Sequence, residues 1–223
     1  MNDRNARNKR YREIVSVFAK YGFGPVGRLS RHRGKGGDFR GKAESGKNGD
    51  SRGKRLRLAF QELGPTYVKL GQLLSIRHDM LPTDITEELG KLQDAVQPFP
   101  FSEVRAVIET EFGDKLEDVY REFDREPIAA ASISQVHRAK LSSGKEVAVK
   151  VQRPDIEESI RMDLYILKDM ARFADHHTKY GKLYHFTGFA EEFENTLCGE
   201  LDFAREGENA DCLRQNLRKD EGI

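Results

Sequence analysis

The segment from Pro127 to Lys150 combines small residues, a polar turn and a lysine in an order that suits phosphate binding. Between Glu146 and Val151, valines alternate with Ala148 and Lys150, so a strand here would place the valines on one face and Ala148 with Lys150 on the other. A lysine ammonium next to so small a side chain leaves room for a ligand. The spacing therefore predicts a half-buried strand that presents one cation to a phosphorylated ligand.

An alanine-rich loop precedes this strand, from Ala129 to Ser134. Because its side chains are small, its backbone N–H groups can approach phosphate oxygens. The loop residues predicted to contact phosphate are Ala129, Ala130, Ala131 and Ser132. The run Ser142 to Lys145 supplies a polar, glycine-containing reversal between two strands. The valine-rich strand alone leaves open an ordinary β-hairpin with a surface lysine, since such strands are common.

A second group of polar residues stands on a predicted helix from Thr66 to Arg77. Lys69 and Gln72 are three residues apart and share a face of this helix. The apolar stripe of the same helix is predicted to be Leu70, Leu73 and Leu74. By itself this pattern indicates only a helix with one polar face.

An acidic cluster lies on a later helix, predicted from about Phe189 to Asn209. Asp202 and Glu206 are four residues apart and share a face, whereas Glu200 lies about 120° round the axis from Glu206. The three carboxylates therefore need not have the same partner. A solvated acidic helix face is the alternative that the charge pattern leaves open.

Four motifs occur together in one order: Lys69-Leu70-Gly71-Gln72, AAASISQVH, VAVKVQRP and Glu200-Leu201-Asp202. In this combination the chain resembles the AarF/UbiB family of atypical kinases from about Tyr11 onward, and its hairpin is similar to the strand, loop and lysine of protein-kinase small lobes. The resemblance implies an α+β fold. A helical extension would precede a kinase-like small lobe of antiparallel sheet plus helices, with the large lobe absent.

The resemblance also implies roles for the motif residues. Lys150 would pair with Glu206 and face the α and β phosphates of ATP, while Lys69 would pair with Glu200 and Asp202. The catalytic residues are then predicted to be Lys69, Gln72, Glu200 and Asp202. The nucleotide-binding residues are predicted to be Ala129, Ala130, Ala131, Ser132, Ala148, Lys150 and Glu206. ATP and Mg²⁺ are the implied cofactors, with the metal ligands expected beyond Ile223.

Two strings resemble other sites but are assigned differently. Gly22 to Gly27 matches G-x-G-x-x-G, yet it follows a helix and leads into a glycine-rich basic stretch, so we expect a left-handed cap with Pro25 preventing continuation. Leu201 to Ala204 resembles the magnesium-binding LDFG string of kinases. It lies only 52 residues beyond Lys150, with no catalytic-loop Asp and Asn before it.

Periodicity and charge predict a basic amphipathic helix and turn (1–30) and a flexible loop (31–53). The resemblance implies that a helical extension (54–122) and the kinase-like small lobe (123–223), truncated before the large lobe, follow. The predicted helices are Tyr11–Tyr21 with Ile14, Val15 and Phe18 inward, Lys54–Leu63, Thr66–Arg77, Thr83 or Asp84 to about Gln93, Glu103–Phe112, and Ile156 to about Asp175. Ser102 is expected to cap the helix Glu103–Phe112, whose buried face is predicted to be Val104, Val107, Ile108 and Phe112. The apolar stripe of the helix that begins at Ile156 is predicted to be Ile160, Leu164, Leu167 and Met170 or Ala171.

Charge is distributed unevenly, since residues 1–57 contain 17 Lys plus Arg against 5 acids, while the other 166 residues contain 21 against 32. The basic helix can dock on the body while the loop stays solvated, or it can bind anionic lipid, with nucleic acid the least favoured partner. No apolar run approaches the roughly 18 residues of a membrane span, and the start lacks a secretory apolar region. Cys198 and Cys212 are expected to be free thiols in a reducing cytoplasm.

These observations lead to one functional hypothesis and one alternative. The chain is expected to be the N-terminal part of an atypical kinase or ATPase that binds Mg-ATP and supports isoprenoid-quinone biosynthesis. The resemblance places it in the cytoplasm, peripherally at the inner face of the membrane, with anionic lipids and quinone precursors as partners. The alternative is a non-catalytic relative that binds anionic lipid or nucleic acid.

Overall fold

A computed structural model describes residues 3–23, 50–92 and 97–217. The chain divides between Ile166 and Leu167 into two compact units, which are described separately. The first unit contains helices α1 (Asp3–Lys20), α2 (Arg52–Leu63), α3 (Pro65–Ser75), α4 (Thr83–Leu89), α5 (Phe101–Phe112) and α6 (Leu116–Val119). It also contains strands β1 (Tyr120–Phe123), β2 (Ala129–Ala130), β3 (Ser134–Leu141) and β4 (Glu146–Gln152), and the start of α7 (Ile156–His177).

Helix α1 ends at a glycine cap, as predicted for this segment. Gly22 has φ +82°, a conformation that costs glycine little. The N–H of Gly22 donates to the carbonyl of Ala19 (3.0 Å) and that of Phe23 to the carbonyl of Phe18 (2.8 Å). This double closure is a Schellman motif, which satisfies carbonyls at the helix end. Pro25 and the predicted flexible loop up to residue 49 lie outside the described residues.

The inward face of α1 differs by one residue from the prediction. Ile14 and Val17 are buried, whereas Val15 is 46% exposed. Residues three and four apart share a helix face, so Val17 and Phe18 follow Ile14 inward while Val15 turns 100° away. The Phe18 ring packs edge-on against Phe60 of α2 at 6.2 Å. Of the alternatives for the basic helix, docking on the body of the protein is therefore the one observed for α1.

Helix α3 also buries a different face from the one predicted. Its buried residues are Thr66, Tyr67, Val68 and Gly71, while Leu70, Leu73 and Leu74 are only half-buried. The leucine stripe was the wrong choice because hydrophobicity alone does not identify the side on which small residues permit close packing. Gly71 lies on that side.

Helices α4 and α5 begin at prolines rather than at the predicted side-chain caps. Pro82 and Pro100 occupy the N-cap positions, so Thr83, Asp84 and Ser102 are not the caps. Helix α4 ends at Leu89, earlier than expected. Val104 and Ile108 are buried on α5, but Phe112 is 57% exposed because it occupies the last position of the helix.

The sheet is antiparallel and centred on β3. One edge of β3 pairs with β4 from Ser134↔Gln152 to Lys140↔Glu146, and the other edge pairs with β1 and β2. The Ser142–Lys145 turn closes with Leu141 N–H donating to the Lys145 carbonyl at 2.9 Å, so the predicted hairpin is confirmed. The core between this sheet and α5 consists of Phe99, Val104, Ile108, Leu116, Tyr120, Ala139 and Val151.

The second unit contains the rest of α7 followed by α8 (Lys179–Tyr184), α9 (Phe186–Leu201) and α10 (Phe203–Leu217). Asp175 caps α9, since its carboxylate accepts the N–H groups of Phe186 and Thr187, each at 2.9 Å. Hydrogen bonding to Thr187 is the largest cause of a lowered pKa for Asp175. Met170, an alternative for the α7 stripe, is 39% exposed, whereas Ile160 and Leu164 are buried as predicted.

The prediction of one continuous helix from about Phe189 to Asn209 is wrong, because the structure has two helices there, α9 and α10. The break is at Asp202, which has φ −87° and ψ 83°. Its carboxylate accepts the N–H of Arg205 at 3.0 Å, a typical N-cap interaction. No helix in the described part of the chain is long and apolar enough to cross a membrane. Cys198 and Cys212 are both free and exposed, as expected.

Candidate functional site

Strand β4 presents Lys150 as the alternation predicted. Val147 and Val149 are half-buried and Val151 is buried, and all three pack with the core. Ala148 and Lys150 are exposed on the opposite face. Lys150 lies directly across from Val136 of β3. The lysine therefore stands on the outer face of the sheet, beside the smallest residue of the strand.

The alanine segment lies on the same face as Lys150. Ala129 of β2 pairs with Val136, and Val136 pairs with Lys150 on its other side. Directly paired residues of an antiparallel sheet point to the same face, and neighbouring strands are about 4.8 Å apart. Ala129, Val136 and Lys150 thus form one row across three strands. This row brings the two predicted phosphate contacts within about 10 Å.

The rest of the alanine segment is a tight turn rather than an open loop. The N–H of Ala131 donates to the carbonyl of Ser134 at 2.8 Å. Ser132 is completely buried, so a ligand reaches its side chain only if the turn opens. The backbone donor of Ala131 likewise becomes available only when this hydrogen bond breaks. Contact of these residues with phosphate stays a prediction.

The Lys-x-Gly-Gln motif occupies α3, and its glycine is required by packing. A Cβ on Gly71 would lie 2.7 Å from Cδ2 of the Phe60 ring and would also overlap Leu92. Both Phe60 and Leu92 are buried, so neither moves aside freely. The side-chain nitrogen Nε2 of Gln72 donates to the Leu92 carbonyl at 3.2 Å. Lys69 is half-buried on the same helix.

We predict that Gly71→Ala lowers the free energy of unfolding, although alanine is the better helix former by about 1 kcal/mol. Overpacking against Phe60 and Leu92 costs about 1–3 kcal/mol, which leaves a net loss of about 1 kcal/mol. Urea denaturation measures it. The matched control is Gly207→Ala, since a Cβ there meets nothing within 4 Å. Equal stabilisation by both substitutions would contradict the close packing.

The acidic motif is divided between two helices. Glu200 belongs to α9, Asp202 is the residue between the helices, and Glu206 lies in the first turn of α10. The angle estimated between Glu200 and Glu206 on one continuous helix is therefore wrong. Lys69 and Lys150 belong to the first compact unit and the three acids to the second. Their pairing stays a prediction.

Several buried polar residues were missed by the sequence analysis. Gln135 and His137 are 1% and 0% exposed. Nδ1 of His137 lies 2.8 Å from the Asp124 carbonyl and Nε2 lies 2.9 Å from Nε2 of Gln135, which assigns a neutral ring protonated at Nδ1. The available signal was strand alternation, because Gln135 and His137 lie on the same face as Ala139 and opposite to Arg138 and Lys140.

A second missed group joins α1 to α7. Arg10 donates from Nε and Nη2 to the two carboxylate oxygens of Asp163 at 2.7 and 2.9 Å. Its Nη2 also donates to the Leu63 carbonyl at 2.7 Å. Asp163 is 1% exposed. The hydrogen bond with Asp163 is the largest cause of the raised pKa of Arg10.

One groove of the first unit is not lined by the predicted site residues. That groove, about 890 Å³ in volume, lies between α5, the start of α7 and Arg7 of α1. Its wall includes Val107, Ile156 and Met162 together with charged side chains. Lys69, Lys150 and the alanines are not part of it. Within the described ranges, no group of three or more His, Cys, Asp or Glu is arranged to hold a metal ion.

Comparison with known proteins identifies similar chains. Residues 91–223 match the sequence profile described as ABC1 atypical kinase-like domain. The chain is 50% identical over 162 residues to a probable protein kinase UbiB of Xylella fastidiosa (strain 9a5c), covering 73% of this chain and 29% of that protein. It is 48% identical over 163 residues to a probable protein kinase UbiB of Pseudomonas aeruginosa (strain LESB58), covering 73% and 31%.

The chain thus spans 29% and 31% of the length of these two relatives. Among solved structures, a Mycobacterium tuberculosis protein determined in complex with erythromycin matches with a TM-score of 0.45 and 30% sequence identity. That match covers 72% of this chain and 40% of the other.

Proposed function

Because the chain belongs to the ABC1 atypical kinase-like family, we propose that it forms the ATP-binding part of an atypical kinase or ATPase. The row of Ala129, Val136 and Lys150 carries this proposal. A cation on the outer face of a sheet, beside a turn whose one large side chain, Ile133, is buried, is suited to the negatively charged phosphates of a nucleotide. Ala148, on the same face, leaves space beside the lysine.

In the proposed complex, Lys150 binds the α and β phosphates and Glu206 holds the lysine in place. The alanine turn, Ala129 to Ala131 with Ser132, lies against the phosphates. A lysine is a compact charge on a flexible stem, so an acidic partner restricts its positions and keeps it directed at the ligand. Lys69, Glu200 and Asp202 form the second proposed ionic group.

Magnesium is proposed to arrive bound to the phosphates of ATP. Mg²⁺ prefers oxygen ligands and often uses one or two carboxylates plus substrate phosphates. The described residues contain no cluster of three or more acids or histidines placed for a metal. No metal ligand is therefore assigned among the described residues, and Mg²⁺, when bound, would neutralise phosphate charge.

The biological role is proposed from the relatives, which are named as probable protein kinases UbiB. We propose that the whole protein supports isoprenoid-quinone biosynthesis at a membrane, in contact with anionic lipids and quinone precursors. The side chains of Arg10 and Lys20 already bind Asp163 and Glu62. These two cations of α1 therefore favour its docking on the body over direct lipid binding.

Equilibrium binding of Mg-ATP to the 223-residue chain tests the proposal. Titration with a fluorescent ATP analogue should give saturable binding that unlabelled Mg-ATP displaces. An absence of saturable binding by a folded chain would contradict the proposal. Sedimentation with anionic and neutral vesicles in parallel then examines the non-catalytic alternative, which expects binding to anionic vesicles and none to the nucleotide.

We further predict energetic coupling between Lys69 and the carboxylates of Glu200 and Asp202. If they pair, Lys69→Ala leaves two acids close together and unbalanced, so removing an acid as well restores part of the loss. A double-mutant cycle by urea denaturation should give about 1–3 kcal/mol of coupling. In the control cycle, Lys54→Ala takes the place of Lys69→Ala, because Lys54 pairs with Asp50 at 2.8 Å. If the effects of Lys69→Ala and of both acid substitutions are additive, the predicted pairing is wrong.

A further inference from the structure

The outer face of the sheet continues from Lys150 toward the hairpin between β3 and β4. The next row along this face pairs Arg138 of β3 with Ala148 of β4. It lies about 7 Å from the row that contains Lys150, because two strand residues advance by that distance. Directly paired residues point to the same face of a sheet. Arg138, Ala148 and Lys150 therefore share one surface, with the small side chain of Ala148 next to both cations.

The same face is closed in the other direction along the two strands. Beyond Lys150, their last pair joins Ser134 to Gln152. Ser134 is only 4% exposed, so other residues already cover the sheet at that end. The Arg138 side chain is instead 59% exposed, and Ala148 is exposed as well. A ligand that contacts Lys150 and is longer than one row therefore has room toward Ala148 and Arg138.

An ion pair holds the guanidinium of Arg138 on this open surface. Its Nη2 donates to Oε1 of Glu146 at 2.8 Å. Glu146 lies diagonally across the two strands from Arg138, one row nearer the hairpin. The hydrogen bond uses one edge of the planar guanidinium and leaves its two faces for other contacts. An arginine restrained in this way can stack on an aromatic ring and keep its ion pair.

The Glu146 carboxylate also decides which part of a nucleotide suits this position. A phosphate group that approached Arg138 would approach the carboxylate as well, and the two negative charges would repel each other. A neutral base meets no such repulsion. The surface beyond Lys150 is therefore suited to the base of a nucleotide and not to its phosphates.

We propose that Arg138 is a specificity-determining residue of the nucleotide site and that its guanidinium stacks on a purine base. This inference rests on the proposed ATP-binding function, because Lys150 determines where the phosphates lie. The ribose then carries the base away from Lys150, over Ala148, in the direction that is open. Stacking tolerates every base, but a two-ring purine offers more contact area than a pyrimidine. The site therefore prefers purine nucleotides.

Isothermal titration calorimetry with Mg-ATP, Mg-CTP and Mg-tripolyphosphate tests the assignment, because tripolyphosphate carries phosphates and no base. Arg138→Ala should raise the Kd of Mg-ATP about tenfold, within the usual range for a lost stacking contact. The Kd of Mg-tripolyphosphate should stay within about twofold, the usual limit for independent sites. The wild type should bind Mg-CTP about threefold more weakly than Mg-ATP, and this difference should disappear in Arg138→Ala.

Two further variants separate stacking from charge. Arg138→Lys keeps the charge but lacks the planar group, so it should weaken Mg-ATP binding nearly as much as Arg138→Ala. Arg105→Ala is the matched control, since Arg105 also forms a surface ion pair, with Glu117 at 2.6 Å. Arg105 belongs to α5, which packs against the opposite face of the sheet. Its substitution should leave every Kd within about twofold.

Urea denaturation verifies that the variants are folded, and loss of the exposed pair with Glu146 should cost little stability. If Arg138→Ala does not fold, Arg138→Lys still decides the question, because it retains a cation for Glu146. Wild-type affinity for Mg-ATP in Arg138→Lys, or in Arg138→Ala, would overturn the stacking.

The phosphate probe distinguishes failure of this assignment from failure of the proposed function. An equal loss of affinity for Mg-ATP and Mg-tripolyphosphate in Arg138→Ala would place the guanidinium on the phosphates and overturn its contact with the base. The proposed phosphate site would then still stand. A folded wild-type chain that binds none of the probes would refute the proposed function, and the role of Arg138 with it.

Discussion

Lys150→Ala is expected to abolish measurable Mg-ATP binding while leaving the free energy of unfolding nearly unchanged. In the proposed site, the ammonium of Lys150 lies in one row with Ala129 and Val136 and would contact the phosphates. Its removal would take away a charge-assisted contact, the strong class of hydrogen bond. Because Lys150 is exposed, its truncation should change stability by no more than about 0.5 kcal/mol.

Competition titration with the fluorescent nucleotide, combined with urea denaturation, measures both quantities. Lys145→Ala is the matched control, because Lys145 is an exposed lysine in the turn before β4 and its loss changes net charge equally. Lys150→Arg adds a geometric test, since a broad guanidinium does not replace a compact ammonium; we expect weakened binding. Wild-type affinity in Lys150→Ala would end the assignment of this strand to the nucleotide.

Arg10→Met is expected to destabilise the protein by about 3–5 kcal/mol, the usual effect of removing one partner of a buried ion pair. The Arg10 and Asp163 side chains are 18% and 2% exposed. Without Arg10, the Asp163 carboxylate would remain in a site that water barely reaches. The Leu63 carbonyl would lose a donor as well.

Asp163→Leu in the same chain should recover much of this loss, because replacing both charges by apolar groups avoids the buried, uncompensated anion. Urea denaturation of the wild type, both single variants and the double variant gives the coupling. Lys20→Met serves as a control, since the pair with Glu62 is exposed and should contribute little. An Arg10→Met variant no less stable than Lys20→Met would show that α1 is not anchored through Asp163.

Features that depend on neighbouring residues followed directly from the sequence. The alternation of β4 predicted which side chains face the core and that Lys150 faces outward, because successive strand residues point to opposite sides. The reversal at Ser142–Lys145 and the glycine cap at Gly22 were equally local. The motifs also predicted the family, which the match over residues 91–223 confirms.

Features that depend on distant residues were decided by the tertiary structure. Arg10 and Asp163 are 153 residues apart, and no local pattern pairs them. Periodicity likewise favoured the leucines of α3, but close packing against Phe60 and Leu92 selects the face of Gly71.

The break at Asp202 has a local cause that helical spacing missed. Periodicity predicted one helix through Asp202, whereas its carboxylate accepts the N–H of Arg205, three residues on, and caps a new helix. Gln72 stays a predicted catalytic residue, and its observed hydrogen-bond partner, the carbonyl of Leu92, lies twenty residues further along the chain. A sequence determines which conformations each segment favours, but the partner of a polar side chain depends on which backbone groups the packed core leaves without a hydrogen bond.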